Sequence, residues 1–191
     1  MIYEPCKIPD VVLCKPQVHT DDRGYFFESF RLDSLEEFLG YALNFCQDNE
    51  SKSQYGVIRG LHFQRPPFAQ TKLIRVIQGA ILDVAVDMRK GSKTLGHYVT
   101  AELTAENKHQ LYVPKGFAHG FAVLSEEAVI AYKCDNYYAP HYDGGVNYAD
   151  ETLAINWPIP PEKRILSVKD QQLPNFDEVP YLELQQAYSK L

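Results

Sequence analysis

The hydrophobic and polar positions of the chain alternate in short stretches that are separated by Gly, Pro, Asn and Asp. Alternation with a period of two residues is typical of half-buried strands, and such turn residues usually separate strands. The stretches that we predict as strands are 25–30, 57–64, 72–78, 80–88, 97–103, 109–113, 120–124 and 128–134. Their spacing predicts an all-β sandwich or barrel, with a jelly-roll-like barrel over about residues 20–150.

Two short helices are predicted beside these strands. Residues 33–39 place their apolar side chains on one helical face, behind a possible cap at Asp33 or Ser34. The part of the chain that follows Trp157 is rich in proline, which breaks regular structure. Ser167 then stands where it can cap a second short helix.

The composition is that of one folded domain. A chain of 191 residues suits a single domain over 1–191, and 45% hydrophobic residues supply a sizeable core. The last stretch, 181–191, is compatible with a helix or with a frayed end.

The net charge and the cysteines indicate which partners and which cellular location the protein can have. The net charge of -6 disfavours a nucleic-acid partner but allows a small anion bound by basic residues of one pocket. No apolar run approaches the roughly 20 residues of a membrane span, and no signal peptide is readable. We expect a cytoplasmic protein with no membrane partner, whose four cysteines are free thiols.

Polar residues stand on strands where a purely structural strand would be apolar. Alternation over 57–64 puts Ile58 on the same face as His62 and puts Arg59 on the opposite face. His62 is then either a satisfied core histidine or a catalytic or ligating group.

Three further strands carry the same ambiguity. Lys72 is either a lysine that extends to solvent at a strand end or a functional cation. Tyr132 is either a core tyrosine or a functional phenol. Asp83 and Asp87 share one face of 80–88, so either that face is wet or each carboxylate has a partner, and no chemistry is assigned to them.

The sequence gives no support for a metal or a cofactor. Barrels of this class often bind metals through a His-x-His pair, but the six histidines never stand two residues apart. The chain also lacks the Gly-rich loop of dinucleotide-binding folds and the P-loop. We therefore predict neither a metal nor a cofactor.

Nine short motifs resemble, in order, those of the dTDP-4-dehydrorhamnose 3,5-epimerase family. They are 22–28 (DRGYFFE), 47–53 (QDNESKS), 59–64 (RGLHFQ), 70–75 (QTKLIR), 83–87 (DVAVD), 114–121 (PKGFAHGF), 132–133 (YK), 157–158 (WP) and 166–170 (LSVKD). Any one is weak, whereas the ordered set is highly specific. Two positions depart from the family pattern, because Asp143 replaces the usual Glu and Tyr148 the usual Trp.

The resemblance implies a cupin-type jelly-roll barrel that forms a homodimer and uses no metal and no cofactor. It also implies the substrate, a dTDP-linked 4-keto-6-deoxyglucose that is inverted at C3 and C5 on the route to dTDP-rhamnose. Three alternatives remain open at this point. They are an epimerase that inverts only C3 or only C5, a non-catalytic sugar-nucleotide-binding module, and a metal-dependent oxygenase or isomerase on the same barrel.

Individual roles follow from the resemblance alone. His62 matches the catalytic base, Asp170 the carboxylate that orients it, Tyr132 the proton donor and Lys72 the group near the ketone oxygen. The residues that match substrate or nucleotide contacts are Arg23, Glu28, Gln47, Asn49, Arg59, His119, Tyr138, Asp143 and Lys169.

These groups suit the chemistry of a carbon next to a ketone. A base with a pKa near neutrality removes the proton, a cation stabilises the enolate oxygen, and a phenol reprotonates from the opposite face. Because Asp170 and His62 stand 108 residues apart, the segment from about residue 157 must fold back over the barrel mouth.

Overall fold

A computed structural model describes residues 1–183 and shows two antiparallel sheets. The larger sheet contains, in spatial order, β1 (Ile2–Pro5), β2 (Val12–Lys15), β10 (Gln110–Val113), β7 (Lys72–Gln78), β12 (Glu127–Cys134) and β5 (Gln47–Gln54). The smaller sheet contains β13 (Asp143–Gly145), β6 (Ile58–Gln64), β11 (Phe117–Val123), β8 (Ala80–Asp87) and β9 (Tyr98–Thr104). The mostly β fold that the alternation predicts is therefore confirmed.

Short elements complete the chain. The strands β3 (His19–Asp21) and β4 (Gly24–Phe26) form a separate hairpin. The helices are α1 (Leu32–Leu39) and α2 (Val168–Gln171), with 3-10 turns at Pro140–Tyr142, Pro161–Lys163 and Phe176–Glu178. Within residues 1–183, no helix is long and apolar enough to cross a membrane. Of the stretch 181–191, for which a helix or a frayed end is predicted, residues 184–191 lie outside the described residues.

The main core lies between the two sheets. Buried side chains of the larger sheet, such as Ile74 and Ile130, pack against Ile81 and Phe121 of the smaller sheet. This is the arrangement in which two amphipathic sheets each bury one face. Along β8, Ile81 and Ala85 belong to this core. Asp83 lies between them on the same face of the strand, so it also points between the sheets.

The outer faces of both sheets are also covered. Helix α1 packs Leu35 and Leu39 on the larger sheet, against a cluster that includes Tyr112. The C-terminal segment packs Trp157 and Phe176 on the smaller sheet, in a cluster with further apolar side chains of β6 and β8. The segment from Val146 to Leu182 therefore contributes to the core of the smaller sheet.

Most predicted strands and one predicted cap are confirmed. The strands from β6 to β12 coincide with predicted stretches within a few residues, although β11 begins three residues before the predicted 120. The predicted strand over 25–30 is wrong beyond Phe26. Ser167 caps α2, since its Oγ accepts a hydrogen bond from the Asp170 N–H at 3.1 Å, whereas the cap of α1 is Arg31.

The sequence pattern missed β1, β2, β3, β5 and β13, of which β5 is the longest. The eight residues of β5, QDNESKSQ, contain no apolar side chain. The strand lies at the edge of the larger sheet, and its alternate residues Gln47, Asn49 and Ser51 face a cleft rather than the core. A strand with solvent on one face and a polar cleft on the other has no hydrophobic period to detect.

A bulge in β6 changes which side chains share a face. His62 pairs with His119 of β11, but Arg59 pairs with Phe121, so β6 has one extra residue between them. An extra residue reverses the alternation beyond it. The prediction that Arg59 and His62 lie on opposite faces is therefore wrong, and both line the same cleft.

Two glycines allow this bulge. Gly60 has φ of +117°, and a Cβ at that position would lie 2.6 Å from the Gly120 Cα atom. A Cβ on Gly120 would lie 2.6 Å from the Arg59 carbonyl oxygen. Only glycine fits between these backbones, because any side chain would push β6 and β11 apart.

We expect Gly60→Ala to lower the free energy of unfolding by about 2 kcal/mol or more, because the methyl group adds a backbone clash to an unfavourable φ. Urea denaturation checks this. The matched control is Gly91→Ala, whose φ is +77° but whose Cβ would meet nothing within 4 Å. An equal loss in both variants would show that φ alone matters and that the contact between β6 and β11 does not.

Candidate active site

A cleft of about 520 Å³ opens between the inner faces of the two sheets and adjoins a second one of about 280 Å³. The residues that line both are His62, Lys72, Tyr132 and Lys169. They come from β6, β7, β12 and α2, so the site forms only when both sheets and the C-terminal segment are in place. Three of these four are residues that sequence reasoning left undecided between core and function.

His62 and Asp170 form a hydrogen-bonded pair. The His62 Nε2 atom lies 2.6 Å from Asp170 Oδ1, and the side chain of Asp170 is only 5% exposed. Burial alone would raise the pKa of Asp170, but the hydrogen bond with His62 lowers it below its usual value. Because Nε2 is committed to Asp170, Nδ1 is the ring nitrogen that remains to accept a proton.

Lys72 and Tyr132 face the same space without partners. Neither the Lys72 Nζ atom nor the Tyr132 hydroxyl has a hydrogen bond to any residue in 1–183, and both line the cleft beside His62. Burial lowers the pKa of Lys72 and raises the pKa of Tyr132. The phenol therefore stays protonated at neutral pH, and the lysine is a stronger acid than one in water.

A second histidine–carboxylate pair stands across from the first. His119 pairs with His62 in the register of β6 and β11, and its Nε2 atom lies 2.7 Å from Asp83 Oδ1. Asp83 is fully buried, and its Oδ2 atom has no hydrogen-bond partner among the described residues. The sequence left open a wet face or a partner for Asp83, and the structure shows a partner, His119.

The smaller cleft carries most of the predicted nucleotide contacts. Gln47 Nε2 donates a hydrogen bond to Asn49 Oδ1 at 3.0 Å. Asp143 accepts from the Tyr138 hydroxyl at 3.3 Å and from Lys169 Nζ. The bond with Asp143 raises the pKa of Lys169, which keeps its ammonium charged. Tyr138 is 55% exposed, so its ring face is free for stacking.

Arg59 lines the cleft, and the two residues that depart from the family pattern, Asp143 and Tyr148, both contact neighbouring side chains. Arg59 lines the larger cleft, and its Nε donates to Ser53 Oγ at 3.0 Å. Asp143 still reaches Lys169 despite its shorter side chain. Tyr148 packs on Trp157 and accepts a hydrogen bond from its Nε1 through the backbone carbonyl, at 2.8 Å.

Two predicted contact residues are not brought to the cleft of this chain. Arg23 lies on the exposed hairpin of β3 and β4, where its guanidinium binds Asp21 at 2.5 Å. Glu28 is also exposed and lines neither cleft.

Sequence reasoning missed several lining residues. Phe121, Ile165 and Leu166 form an apolar wall of the larger cleft. Ser51 also lines it, with a buried Oγ that has no hydrogen-bond partner within 1–183. Alternation from Gln47 and Asn49 could have found Ser51, whereas the wall depends on how the C-terminal segment docks.

The described residues contain no group of three or more His, Cys, Asp or Glu side chains placed to hold a metal ion. The four cysteines are free.

Comparison with known proteins identifies the family. The family model for dTDP-4-dehydrorhamnose 3,5-epimerase matches residues 5–178. The chain belongs to this family. An Escherichia coli K12 protein named dTDP-4-dehydrorhamnose 3,5-epimerase is 50% identical over 178 residues, which are 93% of this chain and 96% of the relative.

Solved structures of family members have the same fold. That of a dTDP-4-dehydrorhamnose 3,5-epimerase from Elizabethkingia anophelis has a TM-score of 0.90 at 48% identity and covers 93% of this chain and 97% of its own. A Legionella pneumophila dTDP-6-deoxy-D-glucose-3,5-epimerase, solved with dTDP-4-keto-L-rhamnose, has a TM-score of 0.92 at 43% identity and covers 96% and 98%. The chain is therefore a 3,5-epimerase family member over nearly its whole length.

We expect Asp170→Asn in this epimerase to reduce kcat by about 10²- to 10⁴-fold while the melting temperature changes little, because the amide cannot stabilise an imidazolium. The Ser167 cap uses the backbone N–H of residue 170 and survives the change. Steady-state kinetics and thermal denaturation measure the two effects. The control is Asp177→Asn, an exposed carboxylate of the same segment. Near-normal turnover of Asp170→Asn would refute its orienting role.

Proposed function

We propose that the chain converts dTDP-4-dehydro-6-deoxy-D-glucose into dTDP-4-dehydro-L-rhamnose by inverting C3 and C5, as a step of dTDP-rhamnose biosynthesis. The observation that carries this proposal is the His62–Asp170 hydrogen bond of 2.6 Å in the same cleft as an unpartnered lysine and an unpartnered phenol. The keto-rhamnose nucleotide bound by the Legionella relative supports the substrate class.

His62 acts as the base in this proposal. A C–H bond next to the C4 ketone is weakly acidic because the resulting carbanion delocalises onto the ketone oxygen. Nδ1 of His62 takes the proton, and the buried carboxylate of Asp170 stabilises the imidazolium through Nε2. General-base catalysis by a positioned imidazole contributes about 10²- to 10⁴-fold.

Lys72 stabilises the enolate oxygen. Its side chain is half-buried and its ammonium has no hydrogen-bond partner among the described residues, so no protein acceptor competes with the substrate. A donor placed where charge develops is worth about 3–4 kcal/mol in a site that excludes water. Burial lowers the pKa of Lys72, which makes it a stronger hydrogen-bond donor to the oxyanion than an exposed lysine.

Tyr132 supplies the new proton. Inversion requires that the proton returns to the face opposite His62, so a second acid must stand across the sugar ring. Tyr132 lies on the larger sheet and His62 on the smaller one, with the cleft between them. Burial raises the pKa of Tyr132 and keeps the phenol protonated until the enolate forms.

The smaller cleft and the rest of the larger cleft suit the nucleotide. We assign Gln47, Asn49 and Lys169 to the sugar nucleotide, Tyr138 to the thymine ring and Asp143 to Lys169. Arg59 and His119 face the larger cleft and are assigned to the phosphate or sugar. The chemistry uses side chains only, without a metal or a cofactor.

The finer architecture is part of the same proposal. We infer a single cupin-type jelly-roll domain whose C-terminal segment, from about residue 157, covers the mouth of the barrel. Lining of the cleft by Ile165, Ser167 and Asp170 supports this placement. A nucleotide-sugar substrate and four free cysteines fit a cytoplasmic location.

Proton NMR in deuterated buffer tests the reaction. With dTDP-4-keto-6-deoxyglucose, we expect deuterium at both C3 and C5, whereas an epimerase for one centre would label only one carbon. His62→Ala should bind the nucleotide without exchange. Tyr132→Phe should exchange with retention of configuration, because His62 can return a deuteron to the face it left. Inversion at a normal rate in Tyr132→Phe would exclude Tyr132 as the donor.

We further propose a homodimer in which the hairpin of β3 and β4 serves the partner's site. Residues 17–26 are all exposed, and Phe26 is 72% exposed. Exposed aromatic residues beside Arg23 are typical of an interface. This arrangement would bring Arg23 to a substrate although it does not line the cleft of its own chain.

Mixed dimers test the exchange of hairpins. Arg23→Ala and His62→Ala should each have low activity, but refolding them together should restore about one quarter of the sites, since half of the dimers then hold one intact site. A mixture of His62→Ala and Asp170→Asn is the control and should restore nothing, because both residues belong to the same chain's cleft. No gain in the first mixture would refute the shared site.

A further inference from the structure

A buried carboxylate stands behind the wall of the cleft, and no role follows for it from the proposed chemistry. Asp83 of β8 points between the sheets, is fully buried, and holds His119 Nε2 through Oδ1 at 2.7 Å. Its other oxygen, Oδ2, has no hydrogen-bond partner among residues 1–183. Buried carboxylate oxygens are normally satisfied, so this one calls for a functional explanation.

The same strand shows that the fold can satisfy such a group. Asp87 lies four residues further along β8, on the same face and equally buried. Its carboxylate accepts hydrogen bonds from Arg89 at 2.8 Å and from the hydroxyls of Ser92 and Thr94, both at 2.6 Å. Asp87 is thus a structural carboxylate, whereas Asp83 has one carboxylate oxygen without a hydrogen-bond partner among the described residues.

Asp83 acts on two groups of that wall. His119 is bound directly, and Asp83 opposes the desolvation that lowers the pKa of Lys72. The other titratable groups that face Lys72 or line its clefts are Cys134 and Tyr132 on β12, Asp143 on β13, Lys169 and Asp170 on α2, Arg59 and His62 on β6, and Tyr138. Of the carboxylates that favour the Lys72 ammonium, Asp143 is paired with Lys169, and Asp83 has a free oxygen.

We propose that Asp83 is a positioning residue of the epimerase reaction. It holds the His119 ring by Nε2, so that Nδ1 faces the substrate, and it places a buried negative charge behind His119 and Lys72. That charge favours the ammonium form of Lys72, which donates a hydrogen bond toward the oxygen on which the enolate charge develops, while the fixed His119 ring presents Nδ1 to the substrate. This inference rests on the proposed function and adds a residue to its machinery.

The test is Asp83→Asn, which keeps the shape of the side chain and removes the charge. We expect kcat to fall by about 10- to 100-fold with KM changed less than about threefold, because Lys72 acts mainly in the transition state. The basic limb of the kcat profile should move to lower pH, since the Lys72 ammonium loses a favourable charge. The melting temperature should stay the same or rise, because an unsatisfied buried carboxylate is removed.

Asp87→Asn is the matched control with the opposite expectation. It removes a satisfied buried carboxylate outside the cleft, so it should lower the melting temperature and leave kcat and its pH profile unchanged. A merely structural Asp83 would behave like Asp87. Loss of stability with normal kcat in Asp83→Asn would therefore overturn the proposal.

Two further variants keep the result decisive. On a His119→Ala background, Asp83→Asn should reduce kcat much less than in the wild type, because part of its effect passes through His119. If Asp83→Asn does not fold, Asp83→Ser leaves space for a water molecule and is measured in the same way. Full additivity of the two changes would contradict the positioning role.

Deuterium incorporation by the wild-type protein distinguishes a failure of this inference from a failure of the proposed function on which it rests. Without deuterium incorporation into the keto sugar by wild-type protein, the proposed function itself fails. With normal incorporation by the wild type and a normal kcat and basic limb in Asp83→Asn, only the role of Asp83 fails.

Discussion

The hydrogen bond between His62 and Asp170 joins two parts of the chain that are 108 residues apart, and the site depends on it. It forms because the C-terminal segment packs its apolar side chains on the smaller sheet. A short parallel bridge between Val57 and Ile165 then sets the position of the segment, and the Ser167 cap turns Asp170 inward. Ordinary hydrophobic burial thus determines the orientation of the His62 ring.

The cleft concentrates polar groups that a stable core would avoid. Lys72, Asp83 and His119 lie between two sheets that are otherwise held together by aliphatic and aromatic packing. Burying a charge without a full set of partners is unfavourable, so the surrounding core must supply the difference. A folded chain that keeps such groups gives up stability for an environment in which a weakly acidic C–H bond can ionise.

The fold and the central residues of the site could largely be predicted from the sequence, for identifiable physical reasons. Strands such as β7 bury one face, so their alternation is visible, and Lys72 stands out as a charge within it. The edge strand β5 has no apolar face and was missed. The bulge that brings Arg59 beside His62 could not be predicted, because it arises from the contact between Gly60 and Gly120 on two distant strands.

The hydrophobic pattern of the sequence also could not predict which side chains pair with each other. Asp83 and Asp87 look alike in the sequence, and only the packing shows that one is satisfied and the other is not. Arg23 carries a family motif but lies on an exposed hairpin of its own chain. Motif matching therefore named the residues, while their grouping depended on tertiary structure.

The C-terminal segment has a consequence for how the protein is made. A nascent chain that has emerged only through residue 150 contains every strand of both sheets, including the imidazole at position 62. It lacks the carboxylate at 170 and the aromatic side chains that cover the smaller sheet. At that stage both sheets could form, but His62 would lack its carboxylate partner and the smaller sheet would expose an apolar face. The His62–Asp170 pair and the cover of the smaller sheet would then form together, once the segment from about residue 150 to residue 182 has emerged.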